Sequence, residues 1–144
     1  NLMSHDLILK KLEQMRTLIA ELKELLTLSF PEFKKKFTNV RSAERNFQLI
    51  VELASDINAH TIAELGAETP DTYRESFKRM AALKILDEKF LPDFIKSSNL
   101  RNILTHEYDF DEDNLIFYKS AKEFIPLYEE YIQLIQKHTE TKRK

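Results

Sequence analysis

The 144-residue chain has no cysteine and a single glycine, Gly66. Without cysteine there can be no disulfide and no thiolate zinc site, and a reducing, cytoplasmic setting is expected. One glycine cannot build a Gly-rich phosphate loop or a dinucleotide fingerprint, since each needs several. Proline is also scarce, at four residues. A chain so poor in turn formers is not expected to fold as a sandwich or barrel. No apolar run approaches the roughly 18 residues of a membrane span. The first residues lack the basic-then-apolar pattern of a signal peptide. A positive excess is missing too, with 22 Lys and Arg against 24 Asp and Glu and a net charge of −2. Nucleic-acid binders commonly carry a basic field, so any contact with RNA must come from a local patch.

What is present is ordinary for a soluble domain: 42% hydrophobic and 32% charged residues. The length suggests one domain with a core of its own. That domain is expected over residues 3–138. Asn1 and Leu2, ahead of Met3, are expected to be cloning remnants, and 139–144 a flexible basic tail.

Apolar residues recur with helical spacing. Ile8, Leu12, Met15, Ile19, Leu22 and Leu26 follow a 4-3-4-3-4 rhythm, as do Phe117, Ala121, Phe124, Tyr128, Tyr131 and Ile135. Ala43, Phe47, Ile50, Ala54 and Ile57 form a third stripe. Such stripes mark long amphipathic helices. Pro31 in "SFPEF" is expected to break the first helix, and Gly66 to end the second in the left-handed conformation. A third helix is expected after Thr69 and Pro70, with Tyr73, Phe77 and Met80 inward. A fourth should run from about Asp87 to His106, with Phe90, Phe94, Ile95, Ile103 and Leu104 as its core. "DFDEDN" reads as a loop before a last helix from Asn114, which Pro126 should kink. No strand pattern occurs. The fold class is therefore all-α, an up-and-down bundle of about five helices.

The stretch "NLRNILTHEYDFDED" crowds Arg101, Asn102, His106 and Tyr108 at a helix end. Asn102 and His106 are i, i+4 neighbours, so the amide can fix the imidazole tautomer. Arg101 and His106 lie about 140° apart on an ideal helix. They can share a cleft if the helix frays at His106, or if two copies meet across a twofold axis. The pair suits RNA cleavage. An imidazole can take the proton of a 2′-hydroxyl or give one to the leaving 5′-oxygen. A guanidinium can bind the more negative phosphorane. This chemistry needs no metal and no cofactor. The plainer reading is that both residues complement the helix dipole at its C-terminus.

"LRNILTHEY" resembles the Arg-x4-His-x-Tyr signature of HEPN domains, in particular the HepT-like toxin branch. "RSAERNFQLIVELASDIN" resembles the same branch, and the likeness runs over residues 3–138 in helix order. The resemblance implies a metal-independent endoribonuclease toxin acting as a homodimer. It implies a minimal nucleotidyltransferase antitoxin encoded beside it. By position, Arg101 and His106 match the catalytic pair, and Asn102 the polar second residue. Tyr108 matches the tyrosine that such antitoxins modify with AMP. Added phosphate charge there would repel RNA. The alternative implied by the same pocket is a non-catalytic nucleotide- or substrate-binding subunit of a nucleotidyltransferase.

Lys34 to Lys36, Arg41 and Arg45 form the best basic cluster. The lysines read as a solvated loop; Arg41 and Arg45 share one helix face that can be plain solvated surface, but the resemblance places this helix near the cleft and so implies contact with RNA phosphates. Glu44 can pair with either arginine or with Arg101 and position it. Asp109, Asp111 and Asp113 mimic the start of a calcium loop, but Asn114 and Ser120 stand where glycine and glutamate are needed. Asp56 is a weaker candidate for an interior polar partner. His5, His60 and His138 have no ligand spacing and read as surface residues. Tyr118, Tyr128 and Tyr131 read as core or interface.

Overall fold

Six residues of the first stripe, Ile8 through Leu26, are all buried, and they drive a helix over Leu2–Leu26 (α1). The computed structural model describes the backbone of residues 2–103 and 110–143, and the side chains of 5–100 and 112–141. Pro31 does not merely break α1. Ser29 accepts from the Glu32 amide at 3.4 Å and caps a short helix, Phe30–Lys35 (α2), with the proline in its first turn. Phe33 then anchors α2 with no exposed surface.

The second long helix covers Phe37–Glu64 (α3). It ends as expected at Gly66, whose φ is 76°. The Gly66 and Ala67 amides return to the carbonyls of Ala63 and Ile62, closing off the last turn. The next helix, Tyr73–Ala82 (α4), starts later than expected. Its cap is Thr72, not Thr69, because Thr72 Oγ1 accepts from the Glu75 amide at 3.1 Å. Asp87 caps a 3₁₀ turn, Glu88–Phe90, that leads into Leu91–Ile103 (α5). The last helix spans Phe110–Arg143 (α6). Asp111 and Asp113 thus belong to its first turns and not to a loop. The segment expected as a flexible tail continues the helix, with Thr139 buried and bonded to the Ile135 carbonyl at 2.8 Å.

The architecture is the expected all-α, up-and-down bundle, with six helices and one 3₁₀ turn among the described residues. Lys11–Asp56 and Asn46–Glu21 contacts set α1 antiparallel to α3. Lys23–Glu129 and Arg16–Gln136 contacts set it antiparallel to α6. Asp56 therefore faces out, at 60% side-chain exposure, and is not an interior partner. Phe47 packs on Phe117, Phe124 and Tyr128, and further along both helices Tyr131 bonds Ala54 and Asn58, so α3 and α6 run parallel. α5 returns antiparallel to α6, through Phe94 on Tyr131 and Ser97 on Tyr128. Phe77 of α4 stacks on Phe94 at 4.9 Å and 11°. The expected stripes of α1, α3 and α6 are buried throughout.

Polar groups thread this aromatic core. Tyr131 Oη lies 2.6 Å from Asn58 Oδ1 and 2.9 Å from the Ala54 carbonyl. Asn58 Nδ2 donates to Ser76 Oγ at 3.1 Å. Tyr128 Oη and Ser97 Oγ are hydrogen-bonded at 2.6 Å. Burial pushes both phenols above their ordinary pKa; the Ser97 bond works against this at Tyr128, and the neighbouring Tyr128 adds to it at Tyr131. Every buried side-chain nitrogen or oxygen among the described residues has a partner. Replacing Tyr131 by phenylalanine would leave Asn58 Oδ1 without its donor. Tyr131→Phe is expected to lose roughly 1–3 kcal/mol. Urea unfolding of the two proteins checks this, and an unchanged midpoint would refute it.

Candidate functional site at one end of the bundle

The helix directions gather the candidates. Because α5 runs against α6, with Phe94 on Tyr131 and Ser97 on Tyr128, its last turn points toward the end of the bundle where α6 begins. Because α3 runs with α6, its first turns lie at the same end. Arg101 and Asn102 sit on that last turn of α5, and Arg41, Glu44 and Arg45 on those first turns of α3. The side chains of Arg101 and Asn102, and the whole of His106 and Tyr108, lie outside the described residues.

The α3 side of this end is defined in detail. Arg41 is 66% exposed, and its guanidinium stands 3.8 Å from the carboxylate of Glu44. Glu44 itself is largely covered, at 16% side-chain exposure. Of the partners foreseen for Glu44, the described contact is the one to Arg41. Arg45 donates to Gln48 Oε1 at 3.4 Å. Arg41, Ser42, Arg45 and Asn46 form one wall of a groove of about 830 Å³, with Glu21 and Glu24 on the α1 side. Asn46 Nδ2 ties the walls together by donating to Glu21 at 3.0 Å. The groove thus sets two exposed cations of α3 against two carboxylates of α1.

The α1–α2 connection is pinned here as well. Tyr118 donates to the Leu28 carbonyl at 2.5 Å and packs on Phe30 and Phe33. Lys122 caps the same ring at 4.4 Å and donates to its hydroxyl at 2.8 Å. Tyr118, Tyr128 and Tyr131 are all buried, as the core reading expects. His5, His60 and His138 are half-buried, not fully exposed. One residue at this end escaped the sequence reading. Phe37, the first residue of α3, is 73% exposed. Its signal was an apolar residue directly after three lysines and outside the core stripe.

Comparison with known proteins fits this frame. In fold the chain is similar to a mutant toxin–antitoxin MntA–HpeT complex, with a TM-score of 0.81 at 24% identity over 91% of this chain and 98% of that one. It is also similar to the tri-AMPylated Shewanella oneidensis HEPN toxin in complex with MNT antitoxin, with a TM-score of 0.79 at 24% identity over 91% and 97%. The chain belongs to the HepT-like ribonuclease family, whose sequence profile, "Ribonuclease HepT-like", matches residues 15–135. It is 32% identical over 107 residues to a "tRNA nuclease HepT" of Aphanizomenon flos-aquae, covering 74% of this chain and 73% of the relative. It is 28% identical to a "Putative RNase" of Archaeoglobus fulgidus over 87% of this chain and 89% of that one.

Glu44 offers a test of the site's electrostatics. Burial raises its carboxyl above the ordinary value of 4.5, and Arg41 opposes that only in part. The folded state then holds this proton more tightly than the unfolded state does. Stability associated with Glu44 is full below pH 4.5 and falls as the pH rises through the folded value. Glu44→Gln is therefore expected to raise the urea midpoint at pH 7, with the gain vanishing below pH 4.5. A gain that grew on acidification would contradict this.

Proposed function

We propose that this chain is the toxin of a toxin–antitoxin pair and a metal-independent endoribonuclease. Its RNA is cut through Arg101 and His106 at a cleft between two copies. The observation that carries the reading is family membership: the HepT-like ribonuclease profile spans the Arg-x4-His stretch. The gathering of Arg41, Glu44 and Arg45 at the bundle end that receives the last turn of α5 supports it.

The chemistry divides among these residues. One imidazole takes the 2′-hydroxyl proton while the oxygen attacks phosphorus, and a second protonates the departing 5′-oxygen. A twofold dimer supplies both from two copies of His106. Arg101 holds the charge that builds on the phosphorane. Asn102, four residues before His106, fixes the tautomer of that imidazole. Arg41 and Arg45 seat neighbouring phosphates, and Glu44 orients Arg41. The partner is a minimal nucleotidyltransferase antitoxin. It transfers AMP from a nucleoside triphosphate to the Tyr108 hydroxyl, with pyrophosphate leaving, and the new charge beside the cleft repels RNA.

His106→Ala and Arg101→Ala are each expected to lower RNA cleavage in EDTA by at least about a hundredfold. Circular dichroism and the mass of the dimer should stay unchanged. Intact mass of the wild-type protein is read on the same sample. Full activity in His106→Ala would defeat the assignment. Wild-type protein that is unmodified, folded and inactive would favour a nucleotide-binding subunit instead. Tyr108→Phe should keep cleavage and abolish AMP addition by the antitoxin.

A further inference from the structure

We propose that Phe37 is a base-stacking residue and that the RNA reaching the cleft is single-stranded there. The inference rests on the reading above and deepens it. Phe37, Arg41 and Arg45 are spaced by four residues along α3. On a helix they form one stripe, each group about 6 Å further along the axis. Phe37 is exposed at 73%, while the other large exposed hydrophobics among the described residues lie between 36% and 41%. It stands at the head of α3 and points no apolar surface into the core. Its backbone belongs to the first turn of α3. Lys36 adopts an extended conformation before it, and the Asn39 amide returns to the Lys36 carbonyl at 3.0 Å. α2 behind it is locked to α6 by Phe33 against Tyr118.

An exposed ring next to two cations on a rigid helix is what a flexible nucleic-acid strand can use. Arginines take the phosphates while the ring takes the π-face of an unpaired base. A duplex offers no such face, because its bases are already stacked. The opposite wall reinforces the choice. Glu21 and Glu24 would repel the second strand of a duplex, whose charge density is high, but leave room for one strand along α3. The acidic wall and the overall charge of −2 weaken the electrostatic hold on RNA here, so a stacking contribution has a clear role.

The test uses full-length wild-type protein and fluorescent oligoadenylate with 2′-O-methyl sugars, which bears no 2′-hydroxyl and cannot be cut by the proposed route. Phe37→Ala is expected to weaken binding about fivefold or more, as the loss of one stacked base should. Phe37→Trp should bind as well as wild type, and Phe37→Leu should behave like Phe37→Ala. The slope of affinity against salt should stay the same in the Phe37 variants and fall by about one in Arg41→Gln. The matching duplex should bind the wild type and Phe37→Ala alike. Equal affinity of wild type and Phe37→Ala for the single strand would overturn the proposal. So would full affinity in Phe37→Leu, or a loss of affinity that coincides with a change in oligomeric mass. The outcome is separate from the catalytic reading, which stands or falls on cleavage by wild type and His106→Ala.

Discussion

The hydroxyl of Tyr131 lies 2.6 Å from Asn58 Oδ1, in a core where neither group reaches water. A buried amide without that partner would be costly, so α3 and α6 fit together in one register only. Asn58 passes the constraint to Ser76 and hence to α4. Tyr128, one turn before Tyr131, fixes α5 through Ser97. Phe94 packs between the two tyrosines and against Phe77. Hydrophobic burial drives the collapse, but the apolar stripes alone would tolerate a shift of a helical turn. The polar contacts forbid it, and they decide where the last turn of α5 ends up.

The long helices were plain from the amino-acid order because their apolar stripes are regular over many turns. Every stripe residue of α1, α3 and α6 proved buried. Shorter features obeyed local chemistry that periodicity does not register. Pro31 could be a stop or a first-turn residue, and the Ser29 cap with buried Phe33 decides for the latter. Thr69 and Thr72 compete as caps, and Thr72 takes the role by accepting from the Glu75 amide. α4 ends in the left-handed conformation at Lys84, φ 62°, where a glycine would have been the usual marker. Residues 110–114 of the run read as a loop instead open α6, since carboxylates near a helix start are favoured by its dipole.

At the candidate site, residue types were readable and their surroundings were not. Arg41, Glu44 and Arg45 stand out in sequence by charge and spacing. Which partner Glu44 takes depends on how α3 is rotated, and the described contact is to Arg41. The acidic far wall of the groove comes from α1, some twenty residues away in sequence, and no local pattern foretells it. Phe37 looked like one more apolar residue because its exposure is a property of the assembled bundle end. The family profile over residues 15–135 then gives the arrangement its context.

The order of the helices along the chain carries a consequence for synthesis. α6 is made last, and its partners lie far upstream: Glu129 meets Lys23 across 106 positions, and Tyr131 meets Asn58 across 73. Until Phe117 to Ile135 have left the ribosome, α1 can pack on α3 and α4 on α5, but the faces these helices turn toward α6 stay open. Ser97 has no hydroxyl partner on α6, and α5 has no fixed register. Long-range closure of this kind is a late event in folding. An unfinished chain therefore carries the Arg101 turn without the frame that orients it, and the bundle end is assembled only when the final helix arrives.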